Sequence, residues 1–169
     1  MITVRNALEE DVPALIGIGV RAWEQAIVGV PVQVRRDHAR NAFQQFLANR
    51  WLRVTVADFD GQLSGWASRE KLDDEISDLW VDPAHQRKGL GSALLAAMET
   101  EIVGAGFETA RLQTHARNLA AVGFFQKHGY GVSWLSVDYS ERLDRNIESV
   151  GLRRQLVMDG PIAYGPGGF

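Results

Sequence analysis

Strand and helix patterns alternate along this chain in an order that predicts a mixed α/β (α+β) fold on a mostly antiparallel sheet. Three observations carry that prediction. Asp60-Gly61 joins two alternating stretches, 53–59 and 62–69, a strong signal for a two-strand hairpin. An apolar run ending at Val81 gives way at Pro83 to a Gln-Arg-Lys-Gly-Leu-Gly turn and then to a helical pattern over 91–103. Two more alternating stretches, 130–138 and 149–157, predict a closing antiparallel pair.

The elements follow in order. Residues 2–6 read as a short strand. Glu9, Glu10 and Asp11 with Pro13 mark a helix start, because acidic groups suit the positive end of the helix dipole and proline suits the first turn. Val12, Leu15, Ile16, Gly19, Ala22, Trp23 and Ala26 give that helix one apolar face. Residues 28–32, with Gly29 and Pro31, read as a loop. Ala39, Ala42, Phe43, Phe46 and Leu47 line a second helix. The hairpin follows, then a strand over 75–82. The helix over 91–103 turns Leu90, Ala93, Leu94, Ala97, Met98 and Ile102 inward and stops at Gly104 and Gly106. A strand over 109–115 and a helix capped by Asn118 precede the closing pair. The count is six to seven strands and about four helices, in one domain over residues 1–169. Its last stretch, 158–169, is rich in glycine and proline, and either a neighbouring subunit or Tyr164 and Phe169 docking in a groove would hold it.

Composition narrows the function classes. An apolar content of 46% and a charged content of 23% fit a soluble globule, with cytoplasmic location as the default. The net charge of −3 gives no field for nucleic acid, and no apolar run reaches membrane-spanning length. With no cysteine there is no disulfide, no thiolate metal site and no cysteinyl acyl-enzyme. His38, His85, His115 and His128 lack metal-ligand spacing, so no metal is expected.

The most informative stretch is Gln86-Arg87-Lys88-Gly89-Leu90-Gly91-Ser92. A loop that leads from a strand into a helix offers a row of free backbone N–H groups at the positive end of the helix dipole. The expected ligand is therefore a phosphate or pyrophosphate. Two common phosphate loops are misspelled here: Ser92 rather than lysine follows Gly91, and Leu94 stands where a dinucleotide loop needs a third glycine. The spelling Q-x-x-G-x-G after V-x-P resembles the coenzyme A loop of the GNAT superfamily of acyl-CoA-dependent N-acyltransferases. Downstream, Asn118-Leu-Ala-Ala-Val-Gly-Phe124-Phe125-Gln-Lys-His-Gly129-Tyr130 resembles that superfamily's N-x-x-A-x-x-F-Y-x-x-x-G-[FY] helix. The opening fifteen residues also look like its first strand and helix.

That resemblance implies a splayed sheet and acetyl-CoA as cosubstrate. The amides of Arg87, Lys88, Gly89, Leu90, Gly91 and Ser92 would hold the pyrophosphate, with Gln86 opening the loop. The Leu79-Trp80-Val81 edge would bond the pantetheine arm as an added strand. An N–H near these residues would polarise the thioester carbonyl. Asn118 and Phe124 would contact the cofactor arm, and Lys127 would approach the nucleotide phosphates unless it is a plain surface lysine.

Amine attack on a thioester also needs a base, because an alkyl amine has a pKa near about 10. Asp78 is the first candidate and His115 the second; Glu75 is a further nearby carboxylate. Gln113 stands where some members of the superfamily carry a catalytic glutamate, and it cannot be a base. Phe125 stands where the motif often has tyrosine and has no proton to give. Tyr130, Tyr139 or water would then protonate the thiolate, or it leaves unassisted, as a thiol pKa of roughly 8.5 permits.

The leading expectation is N-acetylation of a small-molecule amine or amino acid by direct attack in a ternary complex. Acetylation of a protein N-terminus or lysine is the first alternative. A non-catalytic CoA-binding module is the second, suggested by Gln113 and Phe125. Where the loop over 28–34 lies would separate an open peptide slot from a closed pocket, and Glu24 would attract a cationic acceptor. The edge of the last strand pair needs cover, which a homodimer would supply.

Overall fold

The computed structural model describes residues 1–26, 32–140 and 145–158. The expected loop at 28–32 and the tail with Tyr164 and Phe169 fall mainly outside these residues. Within them the strands are β1 (Ile2–Asn6), β2 (Val54–Phe59), β3 (Gln62–Ser68), β4 (Asp78–Val81), β5 (Thr109–His115), β6 (Gly131–Ser140) and β7 (Arg145–Gln155). The helices are α1 (Val12–Ala26), α2 (Val32–Arg50), α3 (Leu90–Gly104) and α4 (Leu119–Lys127). The acidic run predicted to open the first helix forms a 3-10 turn, Glu9–Asp11, just ahead of it. There Asp11 accepts the Leu8 N–H at 2.8 Å and pairs with Arg5 at 2.8 Å.

The sheet comes in two antiparallel parts, ordered β1-β2-β3-β4 and β5-β7-β6. A parallel bridge between Glu75 and Arg111 joins them, with Ile76 N–H on Arg111 O and Arg111 N–H on Asp74 O. Beyond it, β4 and β5 are no longer neighbours in any ladder, so the sheet splays.

The expected strand over 75–82 is cut to four residues by a bulge. The N–H of Ser77 bonds the carbonyl of Ser68, while Asp78 is also the partner of Ser68. Two residues oppose one, which breaks the ladder and re-aims the side chain that follows. Ile76, Leu79 and Val81 accordingly face one layer, and Asp78 and Trp80 face the other.

Each face of the sheet carries a core. On one side Leu90, Leu94, Leu95, Met98 and Ile102 of α3 meet Ala110, Leu112, Val150 and Leu152. Leu95, absent from the expected inward set, is 1% exposed. On the other side Leu15, Ile18, Phe43 and Leu47 of α1 and α2 pack on Val54, Val56 and Trp66. The Trp66 indole N–H donates to the carbonyl of Leu15 at 2.9 Å, satisfying a polar atom in that core. β6 is the outer strand, and its Leu135 and Val137 are 72% and 63% exposed.

Candidate active site

β4 and the start of α3 form one wall of the splay. Asp82 N–H donates to Ser64 O at 2.8 Å, which sets the phase of the β3–β4 ladder. Alternate residues of an antiparallel strand bond the same neighbour. Trp80 thus bonds inward to β3, while Leu79 and Val81 turn their N–H and C=O groups toward β5, into the slot.

The loop after β4 is held from beneath. Asp82 accepts the Ala84 N–H at 3.1 Å, capping a 3-10 turn, and takes Arg21 of α1 at 2.7 Å. Burial works to raise the Asp82 carboxyl pKa, but the Arg21 guanidinium and the Ala84 N–H outweigh it and lower it. Gln86 Nε2 donates to Gln25 Oε1 at 2.6 Å, a second tie to α1. Arg87 takes a left-handed conformation, φ +62°, and so does Gly89, φ +89°, the N-cap of α3. Among the described residues, the backbone N–H groups of Leu90, Gly91 and Ser92, the open first turn of α3, have no protein acceptor; the next along the helix, Ala93, bonds Gly89 O at 3.0 Å. Free donors in the first turn of a helix, at the positive end of its dipole, form an anion receptor. Arg87 is exposed beside it, whereas the Lys88 ammonium sits 4.5 Å from the Phe59 ring centroid.

α4 closes the far side of the loop. A Cβ at Gly91 would stand 3.2 Å from the Phe124 ring. Ser92 Oγ lies 2.9 Å from His128 Nε2, and His128 Nδ1 lies 2.8 Å from the carbonyl of Phe124. A carbonyl only accepts, so His128 Nδ1 is the donor in that contact, and Nε2 is left to meet the Ser92 hydroxyl. Asn118 caps α4, its Oδ1 accepting Ala121 N–H at 3.2 Å.

Asp78 and His115 lie on the same side of the sheet. Ala110 and Leu112 point into the α3 core, so the alternate residues Arg111, Gln113 and His115 face the side that also carries Asp78 and Trp80. Asp78 accepts the Trp80 indole N–H and the Ser77 hydroxyl, each at 3.0 Å. Burial pushes its pKa up, those two donors pull it down, and the Glu70 charge adds to the upward push; the net shift is upward. Burial pushes the His115 pKa down, toward the neutral ring.

Other candidates are otherwise engaged. Glu75 pairs with Arg111 at 2.8 Å, together with Asp73 and Asp74. Glu24 pairs with Arg36 at 2.7 Å. Phe125 is buried, 5.6 Å from the Tyr130 ring. Tyr130, one of the expected proton donors, is 3% exposed and donates to Glu99 at 2.7 Å, and burial followed by that carboxylate raises its pKa. It serves the core between α3 and β7 and is unsuited to releasing a proton to a leaving group. Tyr139 lies on the opposite face from Gln113 by the β6–β7 register. Sequence reasoning missed the Ser77 hydroxyl as a partner of Asp78, because the bulge that presents it has no local spelling.

The sequence pattern of the family described as Acetyltransferase (GNAT) family matches residues 17–130. The chain belongs to the GNAT acetyltransferase family. As a GNAT enzyme it uses acetyl-CoA as cosubstrate. It is 28% identical over 122 residues to the [ribosomal protein bS18]-alanine N-acetyltransferase of Escherichia coli K12, covering 69% of this chain and 82% of that one. It is 32% identical over 90 residues to the mycothiol acetyltransferase of Clavibacter michiganensis, covering 52% of this chain and 29% of that one. The structure of yncA from Salmonella typhimurium with its cofactor acetyl-CoA superposes with a TM-score of 0.67 at 23% identity, over 95% of this chain and 96% of that one. Among the described residues of this GNAT enzyme no helix is long and apolar enough to cross a membrane, and no three acidic or histidine side chains are grouped to hold a metal ion.

Proposed function

We propose that this acetyltransferase moves the acetyl group of acetyl-CoA directly to a primary amine of a small molecule or amino acid, in a ternary complex. The observation that carries the reading is Asp78, a carboxylate of raised pKa on the face of β4 that borders the splay. The N–H groups of residues 87–92 receive the pyrophosphate. The outward edge at Leu79 and Val81 bonds the pantetheine arm, and an N–H on that edge receives the thioester oxygen as it gains charge. Asn118 and Phe124 flank the arm from α4.

Asp78, directly or through water, takes a proton from the ammonium form of the acceptor, and a raised pKa makes its carboxylate the stronger base. The neutral nitrogen attacks the carbonyl carbon, the C–N bond forms, and the C–S bond breaks. CoA leaves as the thiolate and takes its proton from solvent. His115, kept toward its neutral form, is the second acceptor for the nitrogen's remaining proton. A protein α-amine is the second reading, favoured by the bS18-alanine N-acetyltransferase relative, 82% of whose length is matched.

The test mixes the protein with acetyl-CoA and separate pools of amines, amino acids, polyamines and short peptides, and follows free thiol. Release with the amine or amino-acid pool supports the reading. Release with peptides alone moves the acceptor to a polypeptide, and silence in every pool defeats it.

A further inference from the structure

A tryptophan of the outer strand lies over a glycine in the middle of the three-stranded sheet. A bulge between Val132 and Trp134 shifts β6, so that Trp134 opposes Gly151 of β7, and Gly151 in turn opposes Gln113 of β5. Directly opposed residues share a face. Val150 and Leu152, on either side of Gly151, point into the α3 core. Trp134, Gly151 and Gln113 therefore face the same side as Asp78 and Trp80. A Cβ at Gly151 would stand 2.0 Å from Trp134 Nε1 and 2.1 Å from Cε2. The indole occupies the space that any side chain at 151 needs. Having crossed from β6 onto β7, it lies about one strand spacing, ~4.8 Å, from β5, the strand that borders the slot. Trp134 is still 43% exposed, so one ring face rests on the glycine and the other is open.

The surroundings favour an apolar guest. Gln113 is uncharged. The nearest charged side chains on that face, by register, are Arg111 and Arg153, two residues from Gln113 and Gly151. Arg111 already holds Asp73, Asp74 and Glu75, and the Arg153 side chain has no hydrogen bond or ion pair among the described residues. A second cationic centre on the acceptor would meet a guanidinium beside the ring, whereas an apolar group meets a flat surface already half desolvated.

We infer that Trp134, seated on Gly151, determines acceptor specificity, and that the acceptor is an amine carrying an aromatic or bulky aliphatic group stacked on the open face of the indole. The inference rests on the acetyl-CoA-dependent reading above and names the substrate class for the same site. Bulges recur beside active sites, where they re-aim single side chains. Here the bulge and the glycine act together, one turning the indole and the other making room for it.

Two conjugates test this without turnover. The CoA sulfur carries –CH2–CO–NH–R, with R either methyl or phenethyl, and Kd is measured by calorimetry for both and for CoA. The phenethyl conjugate is expected to bind the wild type about tenfold tighter than the methyl one, as an aromatic contact of this kind provides. W134A and G151A should each erase that gain, the second by displacing the ring without removing it, and W134F should keep most of it. Unchanged CoA affinity in all three variants reports that the fold and cosubstrate site are intact. Equal affinity of the two conjugates for the wild type, or a gain that survives W134A, overturns the inference alone. Failure of CoA and both conjugates to bind the wild type overturns the proposed function, and the inference with it.

Discussion

The Trp80 indole N–H donates to Asp78 Oδ1 at 3.0 Å, from two residues along the same strand and on the same face. Trp80 itself is wedged edge-on against Phe43, ring centroids 5.3 Å apart, so the donor is fixed by the α2 core. Asp78 is thus poised between burial, which disfavours its charge, and two hydrogen bonds that favour it. Removing the indole donor in W80F should raise the Asp78 pKa further and move the acidic limb of the kcat/KM profile to higher pH. An unmoved limb would separate Asp78 from the titration that controls rate.

Asp78→Asn should lower kcat/KM near neutrality by about a hundredfold, the usual size of a general-base effect, and flatten the acidic limb. Its effect on stability has a definite sign. A carboxyl whose folded pKa is raised contributes stability that is fully present below the unfolded value and is lost as pH rises through the folded value. The variant never ionises. Its melting temperature should exceed that of the wild type on the alkaline side, with the gap closing as pH falls below the unfolded carboxyl value. Melting curves across that range check both statements.

Asp82 behaves in the opposite sense. Its folded pKa is lowered, so its contribution is present above the unfolded value and lost as pH falls through the folded one. Arg21→Ala removes a half-exposed guanidinium from a carboxylate that is largely buried. It should cost about 1 kcal/mol near neutral pH, and less in acid. Urea midpoints at two pH values measure the difference, and acetyl-CoA affinity should fall as well, because the turn capped by Asp82 carries the loop.

Gly91→Val should cut acetyl-CoA affinity at least tenfold while the far-UV spectrum stays that of the wild type. The added side chain would press on the Phe124 ring, whose carbons would lie 3.2 Å from the new Cβ, and would crowd the donors of residues 90–92. Isothermal titration with acetyl-CoA gives the number, and an unchanged Kd would remove this loop from the cosubstrate site.

Phe125→Tyr should raise kcat by about tenfold or more if the thiolate lacks an acid, at a cost of about 1–2 kcal/mol for a hydroxyl placed in a buried site. Burst and steady-state rates of thiol release, beside a melting curve, check the two effects separately.

The parts legible in the sequence are those spelled locally. The loop from Gln86 to Ser92, the Asn118 cap and the Asp60-Gly61 turn each depend on residues within a few positions of one another, and each stands where it was read. Features set by strand register were not legible. Ser77 and Asp78 share one partner only because β3 is bonded as it is, and Trp134 meets Gly151 only through a bulge in a ladder between residues far apart in the chain. Tyr130 is a candidate proton donor in the sequence because Phe125 has no proton to give, but its hydroxyl is engaged by Glu99, on α3.

Among the described residues the two parts of the sheet meet at one bridge, between Glu75 and Arg111, and an acyl-CoA arm bonded along Leu79 and Val81 would stand where the missing rungs are. The cosubstrate is then a keystone as well as a reagent. Amide hydrogens at Leu79 and Val81 should exchange quickly with solvent deuterium in the free protein and slowly once CoA is bound. Thermal unfolding of the two halves should become more tightly coupled at the same ligand concentration.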